Sequence, residues 1–158
     1  MKLNAEILSF ELGRKYQCQC LGQSRAELLL IRPRLLLEES ECFRENHVYV
    51  TDSRRLPDHP QMEDNAVIVA VGERPSGKYE EQGVCVWVKE GSLVSVFNTL
   101  QDVWDQYDAW TEKLDQILYS TASLQEMIEC GQEILEGYLT VIDRKYRYLA
   151  KGNWQGVE

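Results

Sequence analysis

Two histidines and five cysteines are the residues best suited to bind a transition metal or to act as nucleophiles. His47 lies in a predicted strand, and His59 lies between Asp58 and Pro60. Neither histidine belongs to an HExxH or HxH spacing, which would place two ligands on one side of an element. We therefore predict no catalytic or metal-binding role for either histidine.

The cysteines suggest a second possible metal site. Cys18 and Cys20 are two residues apart in an alternating segment, so their sulfurs lie on one face of a predicted strand. A metal site needs three or four ligands, and Cys42 or Cys85 would have to complete it. A CxC pair alone favours buried, inert thiols. We predict no metal and no cofactor.

Carboxylates recur at spacings of three and four on a predicted long helix, which could supply acid–base groups or cation ligands. They are Asp102, Asp105, Asp108, Glu112 and Asp115. On a helix opposite an aromatic stripe, the simpler interpretation is a solvated face. The sequence also has no GxSxG, Walker A or GxGxxG motif. We predict that the chain is not an enzyme; the alternative is a small stand-alone enzyme with a site around His47, Cys85 and these carboxylates.

Three aromatic residues flank a predicted loop at 52–65 and a second segment at 73–83, which is predicted to be a loop or a short helix. Tyr49, Tyr79 and Trp87 would line a small-molecule pocket there, because such pockets combine aromatic walls with a few polar groups. Core packing explains Trp87 equally well.

The segment 93–120 has the clearest periodicity in the chain. Two sets of residues, each with a spacing of seven, form an apolar stripe. The first set is Phe97, Trp104, Thr111 and Leu118, and the second set is Leu100, Tyr107 and Leu114. Val103, Trp110 and Ile117 widen it. The width predicts a connector helix buried on two sides, against its own domain and against a partner chain. A long core-packed helix with a solvated acidic face is the alternative.

Short apolar runs precede this helix. Asn4 is a suitable N-cap for a helix at 5–12, and strands are predicted at 16–21, 26–31, 47–51, 66–71 and 84–88. Residues 35–39 fit a strand or a helix. The pattern predicts a small mixed α/β domain (α+β) at 1–91, followed by the connector at 92–121.

A second helix and two strands follow. Ser123 and Glu126 have the spacing of a capping box, after a break at residues 121–122, and Gly137 is expected to end the helix. Strands are predicted at 139–142 and 146–150, with a turn between them. These elements are too few for an independent domain. They either join the first sheet or begin a second, incomplete domain at 122–158.

Composition narrows the possible partners. The formal net charge of −9 and pI near 4.8 argue against direct binding of a phosphate backbone by this chain. The N-terminus does not resemble a signal peptide, and no apolar run reaches membrane-spanning length. An odd number of irregularly spaced cysteines fits a reducing compartment. We expect a cytoplasmic protein without membrane contacts.

The order of segments resembles the N-terminal region of PucR/CdaR-type bacterial transcription regulators. The resemblance rests on AEIL, Ile31-Arg32-Pro33, HVYVTD, NAVIVAVG and, most specifically, VFNTLQDVWDQYDAWTEKL. The segment LQEMIECGQEILEGYLTVIDRKYRYLAKG is similar to the start of the PAS- or GAF-like middle domain of those proteins.

The resemblance implies a sensory and dimerisation segment, and it identifies no catalytic or ligand residue. It implies a homodimer that responds to a small-molecule effector or a partner. DNA would be bound only through a C-terminal helix-turn-helix domain, which this chain does not contain. A purely structural dimerisation module is a further alternative.

Overall fold

A computed structural model describes residues 1–38, 40, 42–120, 123–135 and 139–152. The chain divides into two compact units, 1–105 and 106–158. One helix, α3 (Leu93–Tyr119), begins in the first unit and ends in the second.

The first unit contains a five-stranded sheet. In chain order its elements are α1 (Ala5–Gly13), β1 (Cys18–Leu21), β2 (Arg34–Leu35), β3 (Cys42–Phe43), β4 (Val48–Asp52), a 3₁₀ turn (Ser53–Arg55), β5 (Gln61–Met62), β6 (Val67–Val71), α2 (Gly77–Gln82) and β7 (Val84–Val88), before α3. The strand order is β1-β7-β6-β4-β2, with β1 antiparallel to β7 and the other pairs parallel. Strands β3 and β5 form a separate parallel pair.

Burial on both faces explains the composition of the central strands. Strand β6 reads Val-Ile-Val-Ala-Val, and all five side chains are buried. Because alternate residues point to opposite faces, a strand covered on both sides has to be apolar throughout. Its neighbours β4 and β7 are nearly as apolar.

Different elements pack against the two faces of the sheet. Tyr49, Ile68 and Cys85 face a cluster that also includes Phe43 and Tyr79 from outside the five-stranded sheet. Helix α1 lies against β1 and β7. Its buried residues Ala5, Leu8 and Leu12 have helical spacing, and Asn4 caps the helix by accepting a hydrogen bond from the Ile7 amide at 2.9 Å.

The second unit contains the C-terminal part of α3, then α4 (Leu124–Leu135), β8 (Thr140–Ile142) and β9 (Tyr148–Lys151). Strands β8 and β9 pair antiparallel as a two-stranded sheet. The capping box is confirmed, since the Ser123 amide donates to the Glu126 carboxylate at 2.8 Å and the Glu126 amide donates to the Ser123 hydroxyl at 3.4 Å.

The mixed α/β fold, the long helix and the C-terminal helix with its hairpin are confirmed. The predicted strand at 26–31 is wrong, because Leu30 makes only an isolated bridge to Leu3. Leu28 and Ile31 in that run are exposed, so its apolar content does not come from burial in a sheet. Tyr16 lies outside β1. For the segment 35–39, where the sequence fitted a strand or a helix, the structure shows a strand that ends at Leu35.

Three further predictions concern the end of the chain and the membrane. The break at 121–122 and Gly137 lie outside the described residues. Strands β8 and β9 do not join the five-stranded sheet in the part of the chain that the structure describes. None of the helices in the described residues is both long and apolar enough to cross a bilayer.

Candidate functional site

The carboxyl ends of the parallel strands β4, β6 and β7 lie at one edge of the sheet, because the strands run in register. These ends are Asp52, Val71 and Val88. In open sheets with parallel strands, ligands bind in the crevice outside this edge. The segments that follow β4 and β6 are the two loops predicted from the sequence to bind an effector.

Asp52 organises the first of these loops. Its carboxylate accepts hydrogen bonds from the Arg54 amide at 2.9 Å and from Arg54 Nε at 3.1 Å and Nη2 at 2.9 Å. The amide bond caps the 3₁₀ turn. Hydrogen bonds from Arg54 hold the pKa of Asp52 at about 2. Asp52 is therefore ionised at neutral pH and is already engaged by Arg54.

Trp87 lies beside the second loop. Its indole nitrogen donates to the Gly72 carbonyl at 2.8 Å, directly after β6. Gly72 has a φ of +113°, which favours glycine. The Arg74 guanidinium and the Lys89 ammonium lie 5.8 and 5.3 Å from Trp87 ring centroids. The carboxyl edge thus presents a half-buried aromatic ring flanked by two cations.

The two loops contact one another through α2. The Tyr79 hydroxyl donates to the Pro57 carbonyl at 2.6 Å, and Lys78 Nζ donates to the Asp58 carbonyl at 2.8 Å. Lys78 Nζ also lies 3.1 Å from His59 Nδ1. A molecule that displaces either loop has to break these contacts or move both loops together.

The three predicted pocket residues belong to one side of the sheet but differ in exposure. The Tyr49 and Tyr79 rings are buried, and each contacts Phe43 edge-on, at 5.2 and 6.5 Å between centroids. The Tyr49 hydroxyl accepts from the Arg44 amide at 3.1 Å, and burial raises the pKa of Tyr79. Both tyrosines therefore pack in the core, and of the three only Trp87 reaches the surface.

The N-terminal part of α3 is fixed to its own unit by polar contacts. Trp104 Nε1 donates to the Met1 carbonyl at 3.1 Å, and Gln101 donates to the Pro33 carbonyl at 3.1 Å. Arg32 donates to Gln101 and pairs with Asp105, at 3.0 and 2.6 Å. These contacts link α3 to the segments before α1 and around β2.

The residues of the predicted stripe fall into three classes along α3. Leu100 and Trp104 are fully buried in the first unit. Phe97, Tyr107 and Leu114 are half-buried, and Leu118 is 58% exposed. Val96 and Val103, outside the two heptad sets, are also buried. Val96, Leu100 and Val103 share the spacing of four and three that could have identified this face.

In the second unit α3 contacts α4. Trp110 Nε1 donates to the Cys130 carbonyl at 3.1 Å, and Lys113 pairs with Glu133 at 2.6 Å. Next to this contact is an open cavity of about 420 Å³, lined by Lys113, Gln116, Ile117, Ser120 and Glu126. The three positions Trp110, Lys113 and Ile117 therefore define the inner side of this part of α3.

The cysteines do not form a reactive or metal-binding group within the described residues, where no three potential ligands cluster. Burial, with smaller contributions from Cys20 and Glu80, raises the pKa of Cys85 to about 12. Burial also raises the pKa of Cys18 and Cys20. These three thiols are protonated at neutral pH and are poor nucleophiles.

Two residues of the carboxyl edge, Arg74 and Lys89, were not among the residues predicted from the sequence. Lys89 is two positions after Trp87, so continuation of the strand alternation would have placed both on one side. Arg74 had no comparable signal, because its position depends on the loop after β6. Comparisons of the chain with protein-family models, with curated proteins and with solved structures find no match.

Proposed function

We propose that the chain is the sensory and dimerisation segment of a cytoplasmic bacterial transcription regulator of the PucR/CdaR type. In this proposal, a small-molecule effector or a partner binds at the carboxyl edge of the sheet. Helix α3 transmits the binding event, and α4 with the β8–β9 hairpin begins a PAS- or GAF-like domain. DNA binding would belong to a helix-turn-helix domain outside the present sequence.

The observation that carries the proposal is the position of α3. Its N-terminal half is held by the first unit through Trp104, Gln101 and Asp105, whereas its last turns belong to the second unit. A helix of 27 residues spans about 40 Å at 1.5 Å per residue. Because helices are stiff, a shift of its first turns moves its last turns.

The contacts between the loops support the sensory part. Tyr79 and Lys78 connect α2 to residues 57–59, so the loops at 52–65 and 73–83 form one surface. Trp87, Arg74 and Lys89 provide an aromatic ring and two cations next to that surface. Such a combination suits a small anionic or aromatic molecule.

The burial of Tyr49 and Tyr79 favours a second candidate, a purely structural dimerisation module. Their rings fill the core, so they do not form the walls of an open pocket. In this candidate function the chain forms a dimer but binds no effector.

A fusion to a DNA-binding domain that recognises its operator only as a dimer tests the dimerisation that both candidates share. We expect the full chain to give operator repression. A fusion carrying residues 1–92 alone, which lacks α3, is expected to give none. Equal repression by the two fusions, at equal expression, would refute a dimerisation role for α3 and the elements that follow it.

A further inference from the structure

The second unit carries opposite charges on its helices and on its hairpin. Residues 106–135 contain six carboxylates and one lysine, whereas residues 139–152 contain four cationic side chains and one carboxylate. The hairpin is thus a positive segment in a chain of net charge −9.

One face of the hairpin is covered and the other is exposed. Gln125 of α4 exchanges two hydrogen bonds with the Lys151 backbone, at 2.6 and 3.2 Å, and Ala150 on the covered face is buried. Val141 pairs with Ala150, and the next residue, Ile142, points to the opposite face. The register shifts between these two residues, so Ile142 pairs with Tyr148, and the Ile142 and Tyr148 side chains are 47% and 68% exposed. A two-stranded sheet with an open apolar face is only marginally stable alone.

The turn of the hairpin adds an exposed aromatic residue in an unfavourable backbone conformation. Tyr146 has a φ of +61° and is 83% exposed, although glycine or asparagine suits this region best. Among the residues that the structure describes, the ring is left largely open to solvent. Together with the exposed cations Arg144 and Lys145, Tyr146 and Tyr148 form what we call the basic face.

The C-terminal part of α3 has a matching exposed side. Glu112, Asp115 and Tyr119 are spaced by three and four, so they lie on one side of the helix, opposite Trp110, Lys113 and Ile117. Tyr119 is 91% exposed, and Leu118 beside it is 58% exposed. We call Glu112, Asp115, Leu118 and Tyr119 the acidic face.

We propose that the basic face of one copy binds the acidic face of a second copy. The two faces combine opposite charges with exposed aromatic or aliphatic side chains, which is the composition of a specific interface. Because each chain carries both faces, a two-fold axis forms the contact twice and closes the dimer. This inference rests on the proposed dimeric function and identifies the surfaces that make the dimer.

Charge reversal with rescue tests the proposal on the full chain, by sedimentation equilibrium at about 50 mM and about 500 mM salt. We expect the dimer dissociation constant to rise at least about 10-fold at the higher salt concentration. Arg144→Glu with Lys145→Glu, or Glu112→Lys with Asp115→Lys, is expected to raise it at least about 10-fold at low salt. Combining all four changes is expected to return it to within about 3-fold of the original value.

Tyr146→Gly separates binding from folding. Glycine adopts the turn conformation without strain, so thermal stability is expected to be maintained or increased. Loss of the ring is expected to weaken the dimer about 10-fold. Lys2→Glu with Lys15→Glu matches the hairpin charge reversal at exposed positions of the first unit, and it is expected to leave the dissociation constant unchanged.

Several results would overturn this inference. A dimer that both reversals leave intact would keep the proposed dimeric function and reject these faces. A chain that is monomeric at every accessible concentration would reject both. If a labelled single strand of about 20 nucleotides binds the chain and Arg144→Glu with Lys145→Glu abolishes that binding while the mass stays monomeric, the basic face is a nucleic-acid site instead.

Discussion

The indole nitrogen of Trp104 lies 3.1 Å from the carbonyl oxygen of Met1, so the first residue of the chain is hydrogen-bonded to the long helix α3. The Trp104 side chain is fully buried. This relationship joins the start of the chain to residues more than a hundred positions later, and it helps fix the helix that both units share.

Removal of the Trp104 ring is expected to destabilise the first unit. Trp104→Ala should lower the free energy of unfolding by about 3–5 kcal/mol, because it leaves a cavity in a packed core. Val94→Ala on the same helix is the matched control, because Val94 is 59% exposed; a change below about 0.5 kcal/mol is expected. Urea unfolding measures both. Equal effects of the two substitutions would show that Trp104 does not anchor α3.

The hydrogen bond between Tyr79 and Pro57 is expected to stabilise the joined loops. Tyr79→Phe keeps the ring and removes the hydroxyl, which should cost about 1–2 kcal/mol because the Pro57 carbonyl loses its partner. Amide hydrogen exchange in residues 53–60 should become faster. Tyr119→Phe, at an exposed hydroxyl, should change neither quantity. Unchanged exchange in the Tyr79 variant would contradict the proposed connection between the loops.

The strands of the first unit could be predicted from the sequence to different degrees. The strands β4, β6 and β7 could be predicted because burial on both faces demands continuous apolar runs. The two-residue strands β2, β3 and β5 are too short to impose any periodicity. The run 26–31 looked like a strand because Leu and Ile are apolar, and periodicity alone cannot reveal whether a run finds a partner strand.

The candidate site was predicted less completely than the fold. The loops after β4 and β6 were identified by their proline and charge content, but Tyr49 and Tyr79 belong to the core that supports those loops. Their burial depends on Phe43, which comes from a two-residue strand that the sequence does not indicate. The cations beside Trp87 likewise depend on loop conformation.

Alkaline pH is expected to destabilise the first unit partly through Cys85. Its pKa is about 12 in the folded chain, against an ordinary value of 9.0. The folded state therefore favours the protonated thiol, so this contribution is complete below pH 9 and is lost as the pH rises towards 12.

Cys85→Val should remove this part of the pH dependence, which amounts to about 3 kcal/mol by about pH 11. The free energy of unfolding, measured by urea from pH 8 to about pH 11, should fall less steeply in this variant than in the original chain. Cys42→Val, at an exposed cysteine, should leave the slope unchanged. Identical slopes for all three proteins would contradict the burial of a protonated Cys85.

Acid is expected to weaken the turn that Asp52 caps. Its folded pKa of about 2 lies below the ordinary 3.8, so its contribution is present above pH 3.8 and is lost as the pH falls towards 2. Asp52→Asn should cost about 1 kcal/mol at neutral pH and well under half of that near pH 2, where Asp52 is largely protonated in the unfolded chain and half protonated in the folded one. Asp102→Asn, at an exposed carboxylate on α3, should be neutral at both. A cost for Asp52→Asn that persists at pH 2 would assign the effect to packing rather than charge.

Hydrogen exchange is the most direct test of whether binding at the carboxyl edge of the sheet is transmitted through α3. The full chain would be measured with and without a small-molecule extract of bacterial cells, from which macromolecules have been removed by filtration. We expect slower exchange in the loops at 52–65 and 73–83 and, in the same sample, altered exchange along α3. Protection of the loops with no change in α3 would contradict transmission, and no change in either would contradict the sensory function.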